Sequence, residues 1–201
     1  MLFRSDTLSL LEEHRGQALK TDKGMKKDWR PVREHIKQYG MRNSNNMAIA
    51  PTATIANIAG VYPCTEPAFK NIYMKENLSG NFIVVNRYLI DDLDKLGLWN
   101  ADMINRIKLD NGSIANIDGI PETLKKKYKE TFEIDMHWIV QAAGRRAKWI
   151  DQSASTNVFI NTKSGKALND IYMAAWEHGL KTTYYLRTLG ASQITKATVT
   201  E

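Results

Sequence analysis

The sequence predicts an α/β fold with mainly parallel strands. From residue 45 onward, short strand-like stretches alternate with helix-like stretches, the order that produces strand–helix–strand units. The chain has 201 residues, of which 43% are hydrophobic and 25% charged, an ordinary composition that excludes a disordered or collagen-like protein. It contains neither an internal repeat nor a low-complexity segment, so we expect one continuous segment without a linker.

Charge and cysteine content restrict the possible functions. The net charge of +6 favours an anionic partner, which could be a nucleic acid, a phosphorylated metabolite or an acidic protein. The single cysteine, Cys64, excludes an intrachain disulfide and any dithiol redox centre built from this chain alone. No apolar run approaches the ~20 residues that cross a bilayer, and no secretory signal is present, so we expect a cytoplasmic protein without a membrane partner.

The first 44 residues are expected to be a helical lead-in. A short helix follows the capping candidates Ser5 and Asp6 and stops near Gly16. A lysine-rich connector leads to a second helix. This helix begins near Pro31, because proline fits the first turn of a helix, and it ends at Gly40.

Strands and helices alternate through the rest of the chain. Apolar spacing and turn residues predict a buried strand at 47–50 and further strands at 69–74, 156–160 and 182–186. The same criteria predict a short helix within 51–60 and longer helices at 85–96, 101–108, 122–132, 136–150 and 166–178. Asp135 is the expected N-cap of the helix at 136–150, and Gly179 is expected to end the last helix.

The turn within 51–60 has features of an anion site. A helix N-terminus presents unpaired backbone N–H groups and a partial positive charge, and Thr52 and Thr54 add hydroxyl donors. An equally simple interpretation is a capped helix whose threonines bond to their own backbone. The spacing is not that of a Walker loop, because no Gly-Lys-Ser or Gly-Lys-Thr follows.

Two adjacent tyrosines, Tyr184 and Tyr185, lie at the end of the last predicted strand. Neighbouring residues of a regular strand point to opposite faces, so composition alone favours two separate packing roles. A redox relay would instead need both phenols close together, where the strand ends and bends. The residues by themselves leave both interpretations open.

Other polar features are typical of a solvated surface. The four histidines lack the spacing of a metal site, so no metal is expected in this chain. Three carboxylates lie beside basic residues on one predicted helix and are expected to be solvated: Asp91, Asp92 and Asp94. The basic run at 144–149 has no neighbouring aromatic platform, which makes nucleic-acid binding the lowest-ranked function.

Four segments taken together resemble one protein family. They read MRNSNNMAIAPTATI at 41–55, EP at 66–67, WIDQS at 149–153 and KTTYYLR at 181–187. In this order and at these separations they resemble the C-terminal barrel segments of the large (alpha) subunit of class I ribonucleoside-diphosphate reductases. The resemblance implies the C-terminal portion of a ten-stranded α/β barrel, with barrel elements at 45–188 and a flexible tail at 189–201.

The resemblance also implies an oxidoreductase role in deoxyribonucleotide biosynthesis, and hence in DNA replication. In that family a loop holds the diphosphate of the ribonucleoside diphosphate substrate, which agrees with the anion site inferred above, and the loop is matched here by Pro51, Thr52, Ala53, Thr54 and Ile55. A tyrosine pair passes a radical toward an active-site cysteine, and this pair is matched by Tyr184 and Tyr185. The resemblance therefore favours a relay over separate packing roles.

The chain departs from the family in its cysteines. Family members use one thiyl cysteine and two reducing cysteines, whereas this chain has only Cys64, away from the motifs that carry those thiols. We treat Cys64 as non-catalytic and expect the isolated chain to be inactive. A barrel closes by pairing its first and last strands, so a C-terminal portion leaves strand edges and apolar faces uncovered. We hypothesise a split large subunit, completed by a separate N-terminal polypeptide that supplies the cysteines.

Cofactors and further partners follow from the same resemblance. It implies no cofactor in this chain, a di-metal and radical cofactor in a separate small radical-generating subunit, and ATP or dATP effector sites in the N-terminal part. It also implies an external thiol reductant of the thioredoxin or glutaredoxin type. Two alternatives stay open, a nucleotide-binding or assembly module and an inert truncated fragment, both without reductase chemistry.

Overall fold

The fold is described by a computed structural model that covers residues 7–24, 26–43, 45–78 and 80–189. Within these ranges the chain divides into two units, residues 7–63 with 135–187 and residues 64–134 with 188–189. The capping candidates Ser5 and Asp6, and the expected tail from residue 190 onward, lie outside the described residues. No helix in the described ranges is long and apolar enough to cross a membrane.

The described elements confirm an α/β composition, in which helices predominate. In chain order they are α1 Thr7–Arg15, α2 Arg30–Tyr39, α3 Ala53–Ala59, β1 Ile72–Asn77, β2 Gly80–Val85, α4 Arg87–Lys95, α5 Ala101–Leu109, α6 Glu122–Lys127, α7 Met136–Ala147, β3 Val158–Ile160, α8 Gly165–Glu177 and β4 Leu186–Thr188. Both lead-in helices are confirmed. The ten-stranded barrel stays a prediction.

Helices α7 and α8 form the centre of the first unit, as their apolar spacing predicts. Asp135 caps α7 by accepting a hydrogen bond from the His137 N–H at 2.9 Å. The backbone approaches closely at Gly144, where an added Cβ would lie 2.7 Å from Thr21 Oγ1 and 2.8 Å from the His178 carbonyl oxygen. Because a side chain at this position would meet a backbone carbonyl, the packing requires glycine.

The apolar side of α7 covers β3, and α7, α8 and β3 together form the core of the first unit. Helix α7 contacts both α8 and β3. The residues buried there are aliphatic or small, which lets the elements pack closely, and they include Ile139, Val140, Ala143, Val158, Ile171 and Ala175. This packing fixes the position of β3, which follows the loop at 151–155 in the chain.

The strands of the first unit differ from the prediction in two ways. The strand expected at 47–50 is reduced to a parallel bridge between Ile49 and Ala154, and it is not buried: Met47 is 57% exposed, because nothing in the described part of the unit packs over it. The last strand, expected at 182–186, is displaced to β4, which pairs with β3. Lys181 instead uses its side chain to bond to backbone carbonyls, as described below.

The second unit contains a β-hairpin where a strand and a helix start were predicted. Strands β1 and β2 pair antiparallel, with Ile72 opposite Val85 and Asn77 opposite Gly80. The predicted strand at 69–74 is therefore shifted, the helix expected from 85 begins only at Arg87, and mainly parallel pairing is wrong for this unit. Gly80 has φ of 129°, a backbone conformation that other residues rarely adopt, and it starts the returning strand.

Helices α4, α5 and α6 cover the apolar core of the second unit. Asn86 caps α4 by accepting from the Tyr88 N–H at 3.2 Å, and Asn100 caps α5 by accepting from the Met103 N–H at 2.9 Å. The buried cluster consists of Ile72, Leu89, Leu93, Met103, Ile107, Ile114, Ile117, Ile120 and Tyr128. This core is distinct from that of the first unit.

The helix predicted at 122–132 is wrong beyond Lys127, where α6 ends. The chain turns because Glu130 is drawn into the interior: its carboxylate accepts from the Asn71 N–H at 2.8 Å and pairs with Lys70 Nζ at 2.7 Å. Burial raises the pKa of the Glu130 carboxyl, although the bond from Lys70 opposes this shift. A separate 3₁₀ turn then covers Thr131–Glu133.

Candidate functional site

A cavity of about 580 Å³ in the first unit brings three of the sequence motifs together. Its wall consists of the residues at 48–51, of Asp151, Gln152, Ser153 and Ser155, and of the residues at 181–184. We call this cavity the motif pocket. Backbone groups and the Lys181 side chain contribute polar atoms to a lining that is otherwise largely apolar.

Asp151 joins the first two walls of the motif pocket. Its Oδ2 accepts a hydrogen bond from the Asn46 N–H at 2.7 Å, and its Oδ1 accepts from the Met47 N–H at 2.8 Å. Bonds to a carboxylate are stronger than bonds between neutral groups, so both backbone donors are well satisfied. Asp151 thereby fixes the start of the segment that leads to Pro51.

Backbone pairing continues from this clamp toward the pocket. The Gln152 N–H donates to the Met47 carbonyl at 3.0 Å, and the Ser155 N–H donates to the Ile49 carbonyl at 2.8 Å. The Ser155 hydroxyl donates to the same Ile49 carbonyl at 3.1 Å. These bonds hold the walls at 48–51 and 151–155 in register.

Lys181 joins the third wall to the second. Its ammonium group donates to the carbonyl oxygens of Ile150, Asp151 and Gln152 at 3.3, 2.8 and 2.7 Å. An ammonium group has three N–H donors, so it can serve three converging carbonyls. The side chain thus binds the loop at 150–152 to the segment that carries the tyrosines.

Tyr184 and Tyr185 lie side by side rather than on opposite faces of a strand. Their ring centroids are 4.0 Å apart, with an angle of 48° between the ring planes. A hydrogen bond that the Tyr184 O–H donates to Tyr185 raises the pKa of the Tyr184 phenol. The rings are 44% and 52% exposed, and the Arg187 guanidinium lies 5.1 Å from the centre of the Tyr185 ring. Neither tyrosine belongs to a strand, because β4 begins only at Leu186.

The backbone anchors the tyrosines to the neighbouring strand. The Tyr184 N–H donates to the Thr156 carbonyl at 2.7 Å, and the Val158 N–H donates to the Tyr185 carbonyl at 2.8 Å. Of the two rings, Tyr184 lines the motif pocket. The phenols therefore meet at the edge of the same cavity that Pro51 borders.

The predicted anion loop at 51–55 borders the motif pocket only at its first residue. Pro51 lines the motif pocket, whereas Ala53, Thr54 and Ile55 form the exposed first turn of α3. The Thr52 hydroxyl donates to the Pro63 carbonyl at 2.9 Å and makes no capping bond to the helix. Its donor is occupied by the chain itself, so the Thr54 hydroxyl and the backbone N–H groups of the first turn are the donors that remain for an anion.

Cys64 and the histidines occupy other places. The Cys64 thiol lies 3.6 Å from the Glu66 carbonyl oxygen in the second unit, and it does not line the motif pocket. Over the described ranges, no three His, Cys, Asp or Glu side chains are grouped so that they could hold a metal ion. The polar chemistry near the predicted site residues therefore comes from Asp151, Lys181 and the tyrosines.

The structure brings some predicted site residues together and adds others. Pro51 and Tyr184 share the motif pocket, and the Tyr185 ring contacts the Tyr184 ring. Asp151 and Lys181 belong to the recognised motifs, but the sequence analysis assigned them no role. Their positions offer only a weak signal: Asp151 directly follows the helix predicted at 136–150, and Lys181 directly precedes the strand predicted at 182–186.

Comparison with known proteins identifies the family in which these motifs occur together. A family model described as "Ribonucleotide reductase, barrel domain" matches residues 3–186. The chain belongs to the ribonucleotide reductase barrel-domain family. The resemblance inferred from the four motifs is thereby confirmed, and the match extends over nearly the whole sequence of this barrel-domain protein.

Curated relatives of this barrel-domain chain are reductase large subunits. It is 49% identical over 193 residues to the ribonucleoside-diphosphate reductase subunit alpha of Chlamydia pneumoniae, covering 96% of this chain and 18% of that protein. It is 43% identical over 173 residues to the ribonucleoside-diphosphate reductase large chain of Neurospora crassa, covering 86% and 19%. The chain thus spans about a fifth of the length of these relatives.

A solved structure supports the same assignment of the fold. The barrel-domain chain is similar to the Actinobacillus ureae class Id ribonucleotide reductase alpha subunit, with a TM-score of 0.68 and 28% identity. The similarity covers 94% of this chain and 32% of that one. Its helices and strands therefore follow the arrangement of part of a reductase alpha subunit.

Proposed function

We propose that this chain is the C-terminal component of a ribonucleoside-diphosphate reductase large subunit, in which it binds the substrate diphosphate and relays a radical. The observation that carries the proposal is the pair Tyr184 and Tyr185, whose tilted rings lie side by side with centroids 4.0 Å apart at the edge of the motif pocket. A phenol can release an electron and a proton together. Two phenol rings that lie side by side give a radical a short path.

The substrate diphosphate is proposed to lie at the loop of Pro51, Thr52, Ala53, Thr54 and Ile55. Support comes from the free backbone donors expected at the start of any helix and from the position of Pro51 beside the motif pocket. Because the Thr52 hydroxyl is bonded to Pro63, Thr54 is the side chain expected to reach the phosphate. Thr54→Val should therefore raise the KM for a nucleoside diphosphate about fivefold in the assembled enzyme, with kcat nearly unchanged.

The cysteines required for reduction are proposed to come from another polypeptide. This chain contributes only Cys64, which lies outside the motif pocket. We propose that a separate N-terminal large-subunit polypeptide supplies the thiyl cysteine and the reducing pair. A small subunit with a di-metal and radical cofactor would start the radical, and a thioredoxin or glutaredoxin would restore the thiols. Effector sites for ATP or dATP would lie on the N-terminal polypeptide, and the site of action would be the cytoplasm.

An uncovered apolar surface in the first unit supports the need for that polypeptide. Helix α3 and the turn that follows present Ile55, Ile58 and Val61 to solvent, and Ile58 is 82% exposed. Clusters of large exposed aliphatic side chains on a folded unit mark a surface that another chain covers. We propose that the preceding part of the barrel packs here.

The experiment is an assay of nucleoside diphosphate reduction with a chemical dithiol as reductant. The chain is tested alone, and then with a matching N-terminal polypeptide that carries the three cysteines and a small subunit. Activity is expected only in the mixture. It should be abolished by Tyr184→Phe or Tyr185→Phe, which keep the ring packing but remove the phenol, and retained by Tyr39→Phe, a matched control on α2.

A different result would overturn the proposal. Absence of activity after confirmed assembly of all the pieces would leave a nucleotide-binding or assembly module, or an inert fragment, as the better account. Full activity of both tyrosine variants would exclude the relay while retaining a reductase component. Activity of the chain alone would show that the separate polypeptide is unnecessary.

A further inference from the structure

Lys181 occupies an unusual environment for a lysine near a protein surface. Its ammonium group donates to three successive backbone carbonyls, at 3.3 Å to Ile150, 2.8 Å to Asp151 and 2.7 Å to Gln152. A lysine side chain that only improves solubility extends into water, because ordering it costs conformational entropy. Three carbonyls that converge on one ammonium group indicate that Lys181 determines the shape of this loop.

The loop held by Lys181 controls one wall of the motif pocket. Asp151 uses both carboxylate oxygens to bind the backbone N–H groups of Asn46 and Met47. The Gln152 N–H returns to the Met47 carbonyl at 3.0 Å. A displacement of the loop at 150–152 is therefore transmitted to the segment that ends at Pro51.

The same lysine also lies shortly before the tyrosine pair in the chain. Lys181 is three residues from Tyr184, and the next anchor is the Tyr184 N–H bond to the Thr156 carbonyl at 2.7 Å. Between these two anchors the chain has only Thr182 and Thr183. The register of the tyrosines against the loop at 150–156 is thus set at both ends of a very short segment.

We infer that Lys181 is a positioning residue that holds the tyrosine pair in register with the wall of the motif pocket. The inference rests on the proposed function only for its effect on catalysis, since the geometric coupling concerns this chain by itself. Lys181 touches neither a reacting atom nor a substrate in this role. It acts through the backbone on Tyr184 and, by way of Asp151, on the start of the segment at 46–51.

Two substitutions separate the charge of Lys181 from its length and shape. Lys181→Met keeps the aliphatic stem but removes all three donors. Lys181→Arg keeps the charge, but its planar guanidinium cannot direct three donors to three converging carbonyls in the same way. We therefore expect a full effect for Met and a partial effect for Arg. Lys166→Met is the matched control, because Lys166 pairs with Asp170 on the exposed surface of α8.

The first measurement follows the phenol of Tyr184 and needs no catalysis. A fluorinated tyrosine is placed at position 184 in the 201-residue chain, and its titration is followed by fluorine NMR. In the native sequence the pKa of this phenol should lie above that of free fluorotyrosine, because its O–H donates a hydrogen bond to Tyr185. Lys181→Met should lower this pKa toward that of the free amino acid, Lys181→Arg should lower it partly, and Lys166→Met should leave it unchanged.

The second measurement uses the assembled enzyme with its N-terminal polypeptide and small subunit. Lys181→Met should reduce kcat about tenfold or more, since small misplacements of reacting groups have large effects, whereas KM should change less than about threefold. Lys181→Arg should restore part of the lost kcat. A lysine that merely stabilises the fold would lower the amount of folded protein without this division between kcat and KM.

The two measurements distinguish the possible failures. An unchanged Tyr184 titration in folded Lys181→Met would overturn the positioning role, whatever the activity. If Lys181→Met does not fold, an unchanged titration in Lys181→Arg would overturn it equally. A shifted titration in a chain whose assembled complex has no reductase activity would support the positioning role and contradict the proposed function instead.

Discussion

Lys70 and Glu130 form an ion pair in the interior of the second unit, with 2.7 Å between Lys70 Nζ and Glu130 Oε2 and only 2% of the Glu130 side chain exposed. The other oxygen, Glu130 Oε1, accepts from the Asn71 N–H at 2.8 Å. The carboxylate therefore joins the chain before β1 to the chain after α6. Burying a charge is costly, so the pair is stable only while both members are present.

Lys70→Met should be strongly destabilising, because it leaves the Glu130 carboxylate buried without its cation. We expect a loss of about 3–5 kcal/mol in the free energy of unfolding at neutral pH, measured by urea denaturation. Lys95→Met is the control, since Lys95 pairs with Asp92 at the surface, and it should change the stability by less than about 1 kcal/mol. Equal losses in both variants would contradict the importance of burial.

Glu130 should also make stability depend on pH. Burial raises its folded-state pKa above the ordinary value of 4.5, against the opposing effect of Lys70 and with a small contribution from Glu133. The folded state then holds the proton more tightly than the unfolded state. This stabilisation is fully present below about pH 4.5 and is lost as the pH rises through the folded-state pKa. The urea midpoint of the native chain should therefore fall as the pH rises through this range, and Glu130→Gln should abolish the fall. An identical pH profile in the native chain and in Glu130→Gln would show that Glu130 does not cause it.

Gly144→Ala should test the close packing between α7 and the segment before α2. The added Cβ would lie 2.8 Å from the His178 carbonyl oxygen, and a backbone group cannot move away without disturbing α8. We expect a destabilisation of about 1–3 kcal/mol in thermal or urea unfolding. Gly165→Ala, at the start of α8, should be nearly neutral, because a Cβ added there would meet no atom within 4 Å. A neutral Gly144→Ala would show that this contact relaxes easily.

Asp151→Ala should loosen the start of the motif pocket, because the N–H groups of Asn46 and Met47 lose their acceptors. Water can replace part of these bonds at a half-buried site, so the expected loss is about 1–2 kcal/mol in the free energy of unfolding. Hydrogen exchange of the backbone N–H groups of Asn46 and Met47 should become faster, while exchange elsewhere in the chain should stay unchanged. Asp170→Ala, which removes an exposed partner of Lys166, should alter neither, and faster exchange in that control would point to a general loss of stability.

The sequence predicted the helices better than the strands, for physical reasons. Helices α7 and α8 combine regular apolar spacing with a clear N-cap, and both signals are local. Helix α6 ends early because Glu130 bonds to Lys70 and Asn71, about sixty positions away in the chain, a contact that no local pattern reveals. The hairpin of β1 and β2 was missed because its apolar return strand runs almost directly into α4.

The site was predictable in its motifs but not in its connections. The motif around Pro51 and the pair Tyr184 and Tyr185 could be recognised from sequence, yet alternation along a strand favoured opposite directions for the two rings. In the structure the two rings lie side by side, in a segment that precedes β4 and is anchored by Lys181 and by the Thr156 carbonyl. Such backbone bonds carry no sequence signature, because any residue supplies a carbonyl.

The clamp between Asp151 and Asn46 joins positions 105 residues apart in the chain, and this separation has a consequence for the order of folding. Most of the second unit is the continuous stretch 64–134, which can condense from local contacts, whereas the first unit must wait for residues 135–187. Closing a long loop slows the search for native contacts. During synthesis the motif pocket should therefore form last. By then residues 64–134 have folded and have shortened the effective loop between residues 63 and 135.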